Sequence, residues 1–151
     1  MTSIHVAGMN VESDGEGAPV VMLHGLGGTS NSFQPLLSRL AGFRIVRPDL
    51  PGAGRSPSPP QPITVALVLE AVANAMSHLG INRAHLVGHS FGTLIAQHMA
   101  AYHPRRVASL ALFGPIVEPQ DAARERLRQR AAMARREGMG SVADPLIETA
   151  L

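Results

Sequence analysis

The chain has 151 residues, enough for one domain with a real core and too few for two comfortable ones. Hydrophobic residues at 45% against 16% charged exclude a disordered chain, and the absence of cysteine excludes disulfides, thiolate zinc sites and a cysteine nucleophile. Net charge is only +2 although the pI is near 10.4, because all 13 basic side chains are arginine.

Six of those arginines (Arg124, Arg126, Arg128, Arg130, Arg135 and Arg136) fall in one stretch that also holds Asp121, Glu125 and Glu137 and no aromatic residue. This mixture reads as a solvated helix face, so no nucleic-acid partner is expected. The first ten residues lack a basic segment followed by an apolar one, and no apolar run approaches a membrane span. The expectation is a cytoplasmic protein without a membrane partner; oligomeric state is left open.

In chain order, Ile4 to Val11 alternates weakly and reads as the first strand of a hairpin turned at Asp14–Gly17. Val20–Leu23 is wholly apolar, as in a strand buried on both faces of a parallel sheet. After His24-Gly25-Leu26-Gly27-Gly28, Phe33, Leu36, Leu37 and Leu40 recur at helical spacing behind the good N-caps Thr29, Ser30 and Asn31. Pro35 fits only in the first turn of that helix. Phe43–Val46 is the next strand, followed by a loop over 49–56 and a stiff Pro-rich connector to Pro62. Val68, Val72, Ala75, Met76 and Leu79 form a helical stripe closed by Gly80. Ala84–Val87 is a strand, Phe91–Tyr102 a helix stopped before Pro104, and Val107–Phe113 the last clear strand. Residues 119–138 are helical. The alternation predicts an α/β fold: a mostly parallel sheet with helices on both faces, built from right-handed βαβ units.

The decisive motif is Gly88-His89-Ser90-Phe91-Gly92, a G-x-S-x-G between a strand and a helix. A serine at such a turn is held in a strained backbone conformation that lifts its hydroxyl above the sheet. The chain crosses itself so tightly there that Gly88 and Gly92 must be nearly side-chain-free. The helix start directs free N–H groups and a positive dipole end at the same spot. The plain alternative is a turn whose serine merely caps the helix. His24-Gly25-Leu26-Gly27-Gly28 follows an earlier buried strand and supplies a second amide. The candidate oxyanion donors are the backbone N–H of Phe91 and of Leu26, with Gly27 as second choice.

A rival reading takes Gly25-x-Gly27-x-x-Ser30, with Asp49 19 residues further on, as a dinucleotide fingerprint. Against it stand Ser30 at the third position, His24 at the strand end, and the place of Asp49 in a D-x-P-G-x-G-x-S loop. Asp49 reads better as a loop brace.

These three motifs, His24–Gly27, Asp49–Ser56 and Gly88–Gly92, resemble in order and spacing those of the α/β-hydrolase superfamily, over Val20 to Pro115. Ala134 to Asp144 looks like the start of the helical cap of 3-oxoadipate enol-lactonases and related carboxylic-ester hydrolases. The resemblance implies residues 1–115 as the N-terminal portion of the core and 116–151 as the beginning of a cap. It implies that Ser90 attacks a small ester or lactone carbonyl, that a histidine acts as base, and that the Leu26 and Phe91 amides hold the oxyanion. No metal or organic cofactor is expected.

In that superfamily the acid and then the histidine follow the serine. Here the histidines after Ser90 are His98 and His103, and every later acid (Glu118, Asp121, Glu125, Glu137, Asp144, Glu148) follows both. His98 is eight residues along a helix from Ser90, roughly 12 Å at 1.5 Å per residue. His89 should pack beside the elbow, turned away from Ser90. His24 is the sole plausible substitute base, and a role bracing its own loop suits it better. The expectation is therefore a truncated form lacking the triad acid and histidine, whose sixth strand is an uncovered edge. Two alternatives remain: a non-catalytic binding module on the same fold, and a cofactor-free perhydrolase of haloperoxidase type. Dehalogenases and epoxide hydrolases usually place Asp at the elbow, so Ser90 speaks against them.

Overall fold

The computed structural model describes residues 2–117 and 121–144, and the chain divides into two compact units, Met1–Ile116 and Val117–Leu151. The first unit opens on a tight hairpin of β1 (Thr2–Val6) and β2 (Met9–Asp14), paired with Val6 opposite Met9. Its two turn residues, Ala7 and Gly8, both have positive φ (52° and 73°), the geometry that matches the twist of a two-residue hairpin. The weak alternation of Ile4 to Val11 predicts a single strand through this point and a turn at 14–17. The structure corrects both, and the break is hard to see because alanine gives a weak signal where asparagine or glycine is usual. Residues 14–17 instead pass under the start of the fourth strand. A Cβ on Gly15 would stand 2.4 Å from the Phe43 carbonyl oxygen, and one on Gly17 2.2 Å from that of Gly42.

The remaining strands are β3 (Ala18–Leu23), β4 (Phe43–Pro48), β5 (Ala84–His89) and β6 (Val107–Phe113). The sheet order is β1-β2-β4-β3-β5-β6, with β4, β3, β5 and β6 mutually parallel and the hairpin antiparallel on one flank. The apolar runs alternate between two cores. Val21, Leu23 and Val46 point to one side, where α1 (Val65–His78) and α2 (Phe91–Tyr102) bring Val68, Val72, Met76, Ile95 and Met99. Val20, Met22 and Ile45 point to the other and meet Phe33. This two-sided burial is why these strands carry no polar alternation.

Phe33 belongs to a ten-residue 3-10 helix, Ser30–Arg39, where the periodicity suggests an α-helix. Thr29 caps it in a capping box with Ser32. Pro35 lies inside it and has no N–H to donate, which disfavours a continuous α-helix through this point. On the far flank β6 is an edge strand, exposed over most of its length.

In the second unit α3 (Asp121–Glu137) has no buried residue, with Asp121 in its first turn and Arg135 and Arg136 in its last, as the helix dipole favours. Gly138 ends it at φ 84°, and residues 140–144 add a further helical turn. Residues 119 and 120 of the expected helix lie outside the described residues. Among the described residues no strand follows β6, and no helix is long and apolar enough to cross a membrane.

Candidate active site

Ser90 occupies the single residue between β5 and α2, at φ 50° and ψ −115°. Among the described non-glycine residues only Ala7 shares its positive φ. Such a conformation costs on the order of 1–3 kcal/mol and persists only where the surroundings over-determine it. They do so here. The Ser90 N–H donates to the Phe113 carbonyl at 2.9 Å, extending the ladder to β6, and its carbonyl accepts from the Thr93 N–H (2.9 Å) and hydroxyl (2.6 Å). The side chain makes no capping hydrogen bond, so the alternative of a mere helix cap is not what the serine does. The flanking glycines are sterically required. A Cβ on Gly92 would lie 1.9 Å from the Leu23 oxygen, and one on Gly88 2.7 Å from the Gly92 oxygen.

The crossing at Leu23 brings the loop after β3 against the elbow. A Cβ on Gly25 would come within 3.1 Å of the Ser90 Cβ. The loop then turns through a Gly28 N–H to Gly25 carbonyl bond of 3.0 Å, with Gly27 at φ 74°, and leaves the Leu26 side chain 72% exposed. Among the described residues, the backbone N–H groups of Leu26 and Phe91 donate to no protein acceptor. Both residues line one cavity of about 200 Å³, shared with Leu50, Ala53, Ile63 and Val68. On the other side of the loop a wider cavity of about 500 Å³ is lined by Leu26, Phe33, Leu36, His89 and Phe113.

His24 is buried, and both ring nitrogens are engaged. The Leu50 N–H donates to Nε2 at 2.9 Å, so Nδ1 carries the proton that bonds the Gly25 carbonyl at 2.8 Å. Burial holds its pKa below the usual histidine value, against the opposing pull of the Gly25 bond and the Asp49 charge. The ring links the end of β4 to the Gly25–Gly28 loop and has no lone pair left to receive a proton from Ser90. The loop-bracing role expected of it is the one the geometry supports.

Asp49 has the matching role on the loop after β4. Its carboxylate accepts the Ser30 N–H at 2.7 Å and the Arg55 N–H at 3.0 Å and is 1% exposed, leaving nothing to grip a ribose hydroxyl. Burial raises its pKa, but the Ser30 and Arg55 amides, the Ser30 hydroxyl and the Arg55 charge outweigh that and hold it below the usual carboxylate range. A Cβ on Gly54 would strike this carboxylate at 2.6 Å, which is why the loop needs glycine there.

Sequence reasoning passes over the buried charges beneath that loop. Arg47 reaches the Ser30 carbonyl at 2.9 Å and Gln34 at 3.2 Å, while the Arg55 guanidinium pairs with buried Glu12. The available signal is a charged residue in each of two strands that prove to pair, Glu12 opposite Arg47.

His98 bonds the Leu94 carbonyl at 2.8 Å on its own helix, His103 ends α2, and His85 bonds Ser109 at 2.8 Å. His89 is exposed, its Nδ1 3.2 Å from where a Gly25 Cβ would lie. Among the described residues no group of His, Asp and Glu side chains is placed to hold a metal ion.

The profile of the alpha/beta hydrolase fold family matches residues 18–138. The chain belongs to this family. Among its relatives, the pimeloyl-(acyl-carrier protein) methyl ester esterase of Chromobacterium violaceum is 44% identical over 103 residues, covering 68% of this chain and 39% of its own. Among solved structures, a thermophilic esterase from Thermogutta terrifontis superposes with a TM-score of 0.87 at 28% identity, over 98% of this chain and 58% of that one. The enol-lactonase from Burkholderia xenovorans LB400 does so with a TM-score of 0.82 at 30% identity, over 97% and 58%. The chain spans 28–40% of the length of the first curated relatives it matches.

Proposed function

We propose that this chain carries the nucleophile and oxyanion half of a serine hydrolase acting on small carboxylic esters or lactones. The observation that carries the reading is Ser90: strained at positive φ, its backbone N–H and carbonyl fixed by three hydrogen bonds, with its hydroxyl not engaged in capping. In the reaction the Ser90 oxygen bonds to the carbonyl carbon while its proton passes to a general base, and the carbonyl oxygen becomes an anion facing the Leu26 and Phe91 amides. Collapse breaks the ester C–O bond and the proton leaves with the alcohol. Water repeats the sequence to release the acid. In a lactone both products stay in one molecule.

The reading assigns the general base and its orienting acid to residues other than those of this sequence. The limited share of relatives' length spanned supports this, as does the engagement of His24 at both nitrogens. It takes residues 1–115 as core and 116–151 as the beginning of a helical cap. The enol-lactonase and esterase neighbours support an ester or lactone bond as the target.

The test is labelling of the full-length protein with a fluorophosphonate, read by peptide mass spectrometry. A single adduct on Ser90, absent in Ser90→Ala, is expected. A folded full-length sample that takes up no label would overturn the hydrolase reading in favour of a non-catalytic binding module.

A further inference from the structure

Glu12 is a buried charge without a full set of partners. It sits within β2 at 3% exposure, and among the described residues its Oε2 has no hydrogen-bond partner. A carboxylate in such a place costs stability, and apolar residues of similar volume often serve a fold as well or better there. We propose that Glu12 is a positioning residue for the Gly25–Gly28 loop, acting through Arg55 and the loop after β4. The role rests on the serine-hydrolase reading and extends it to a side chain far from the elbow in sequence.

The second carboxylate oxygen, Oε1, accepts from the Arg55 guanidinium, whose Nε also stands 3.7 Å from the Asp49 carboxylate. Arg55 thus ties β2 to the 49–56 loop by charge. Ser56 ties it by hydrogen bonds, its hydroxyl accepting the Asn10 N–H at 2.8 Å and donating to the Asp49 carbonyl. The loop held in this way reaches both ends of the Gly25–Gly28 segment. At the near end the Leu50 N–H donates to His24 Nε2 at 2.9 Å, and His24 Nδ1 bonds the Gly25 carbonyl at 2.8 Å. At the far end the Asp49 carboxylate accepts the Ser30 N–H at 2.7 Å. Arg47, opposite Glu12 across the β2–β4 pair, donates to the Ser30 carbonyl at 2.9 Å. Two carboxylates and two guanidiniums therefore stand behind a segment that itself carries no charge. Gly25 lies so close to Ser90 that a Cβ on it would come within 3.1 Å of the serine Cβ. A shift at either end of the segment consequently moves the Leu26 amide relative to Ser90, and misplacement by about 1 Å can cost about a hundredfold in rate.

The Glu12–Arg55 pair is unequal, and that separates positioning from stability. The Arg55 side chain is 57% exposed and can turn to water, whereas Glu12, at 3%, cannot. Removing Arg55 strands a buried carboxylate; removing Glu12 only frees a surface arginine. Replacing both takes away the stranded charge without restoring the tie.

The test is a double-mutant cycle in the full-length protein: Glu12→Met, Arg55→Met and the two together, read by urea unfolding, by ester kcat and KM, and by amide exchange. Arg55→Met should lower the urea midpoint, and adding Glu12→Met should return it to the wild-type value or above. All three variants should lose about tenfold or more in kcat, the double no more than the singles, with KM within about twofold of wild type. Exchange at the Leu50 and Ser30 amides should quicken about tenfold in each. Arg55→Lys keeps a cation within reach of Glu12 and should hold kcat to within about threefold of wild type. A double variant that regains kcat together with its urea midpoint shows that the pair serves the fold alone, and overturns the proposal. Wild-type kcat in all three variants, with Ser90 still labelled by fluorophosphonate, overturns it too and leaves the hydrolase reading intact. Absence of labelling in the folded wild type removes both.

Discussion

Gly92 lies directly beneath Leu23: a Cβ at position 92 would stand 1.9 Å from the Leu23 carbonyl oxygen and 2.5 Å from its carbon. Strand β3 and the first turn of α2 touch backbone to backbone, and that contact sets the elbow beside the loop that β3 feeds. Gly92→Ala must push the two elements apart, with an expected loss of about 3 kcal/mol or more in urea unfolding. Gly27→Ala is the control. Its φ of 74° disfavours alanine, but nothing lies within 4 Å, so about 1–2 kcal/mol is expected. Equal losses at the two sites would show that steric crossing is not what Gly92 relieves.

The two non-glycine residues at positive φ, Ala7 and Ser90, should respond alike in stability and differently in function. Ala7→Gly and Ser90→Gly each remove a Cβ from a positive-φ conformation costing on the order of 1–3 kcal/mol, partly offset by the extra freedom glycine gives the unfolded chain. A net gain of up to about 1 kcal/mol is expected at each. In the full-length protein Ser90→Gly should abolish fluorophosphonate labelling and Ala7→Gly should leave it unchanged. A destabilised Ser90→Gly would mean the hydroxyl holds the elbow together.

The same contrast explains what is legible in the sequence. Val20–Leu23 and Leu86–Val87 announce buried parallel strands because burial on both faces removes all polar alternation. Gly88 and Gly92 announce the elbow because backbone crossing tolerates no other residue. The break at Ala7 is hidden because alanine is an ordinary residue in an unusual conformation, and the 3-10 winding of Ser30–Arg39 because apolar spacing does not separate it from an α-helix. The partners of Glu12, Arg47 and Asp49 are invisible for a different reason. Which strands pair is decided by the whole sheet, and β2 lies beside β4 although β3 intervenes in the chain.

His24 ties Leu50 to Gly25 only while it is neutral, since protonating Nε2 would set a donor against the Leu50 N–H. Its folded pKa lies below the ordinary 6.5. The stabilisation linked to its neutral form is therefore complete above 6.5 and is lost as pH falls through 6.5 toward the folded value. The group facing it is Asp49, which moderates the shift. Wild type should lose stability relative to His24→Gln between pH 7 and 5, measured by urea unfolding. On the serine-hydrolase proposal, His24→Ala in the full-length protein should lower kcat about tenfold or more with little change in KM, because the Gly25–Gly28 loop that would hold the oxyanion loses its tie. A pH-independent difference in stability would show that the imidazole does not titrate in this range.

Asp49 gives a second readout of the same scaffold, in a lower pH window. Its carboxylate accepts the Ser30 and Arg55 amides, so Asp49→Ala leaves two N–H groups without partners, at about 1–3 kcal/mol each. Asp49→Asn keeps one acceptor oxygen and turns an NH₂ toward the second amide, so an intermediate loss is expected. The folded pKa is depressed below 3.8, the amide bonds outweighing burial. Stabilisation from the charged form is accordingly present above 3.8 and lost as pH falls through the folded value. The gap between wild type and Asp49→Asn should be constant from pH 7 to 5 and close below pH 3.8. Both variants should also loosen Ser30, the first residue of the 3-10 helix behind the Gly25–Gly28 loop, detectable as faster amide exchange at Ser30 and Ser32. A gap that persists unchanged to pH 2 would mean the carboxylate contributes through shape alone and not through its charge.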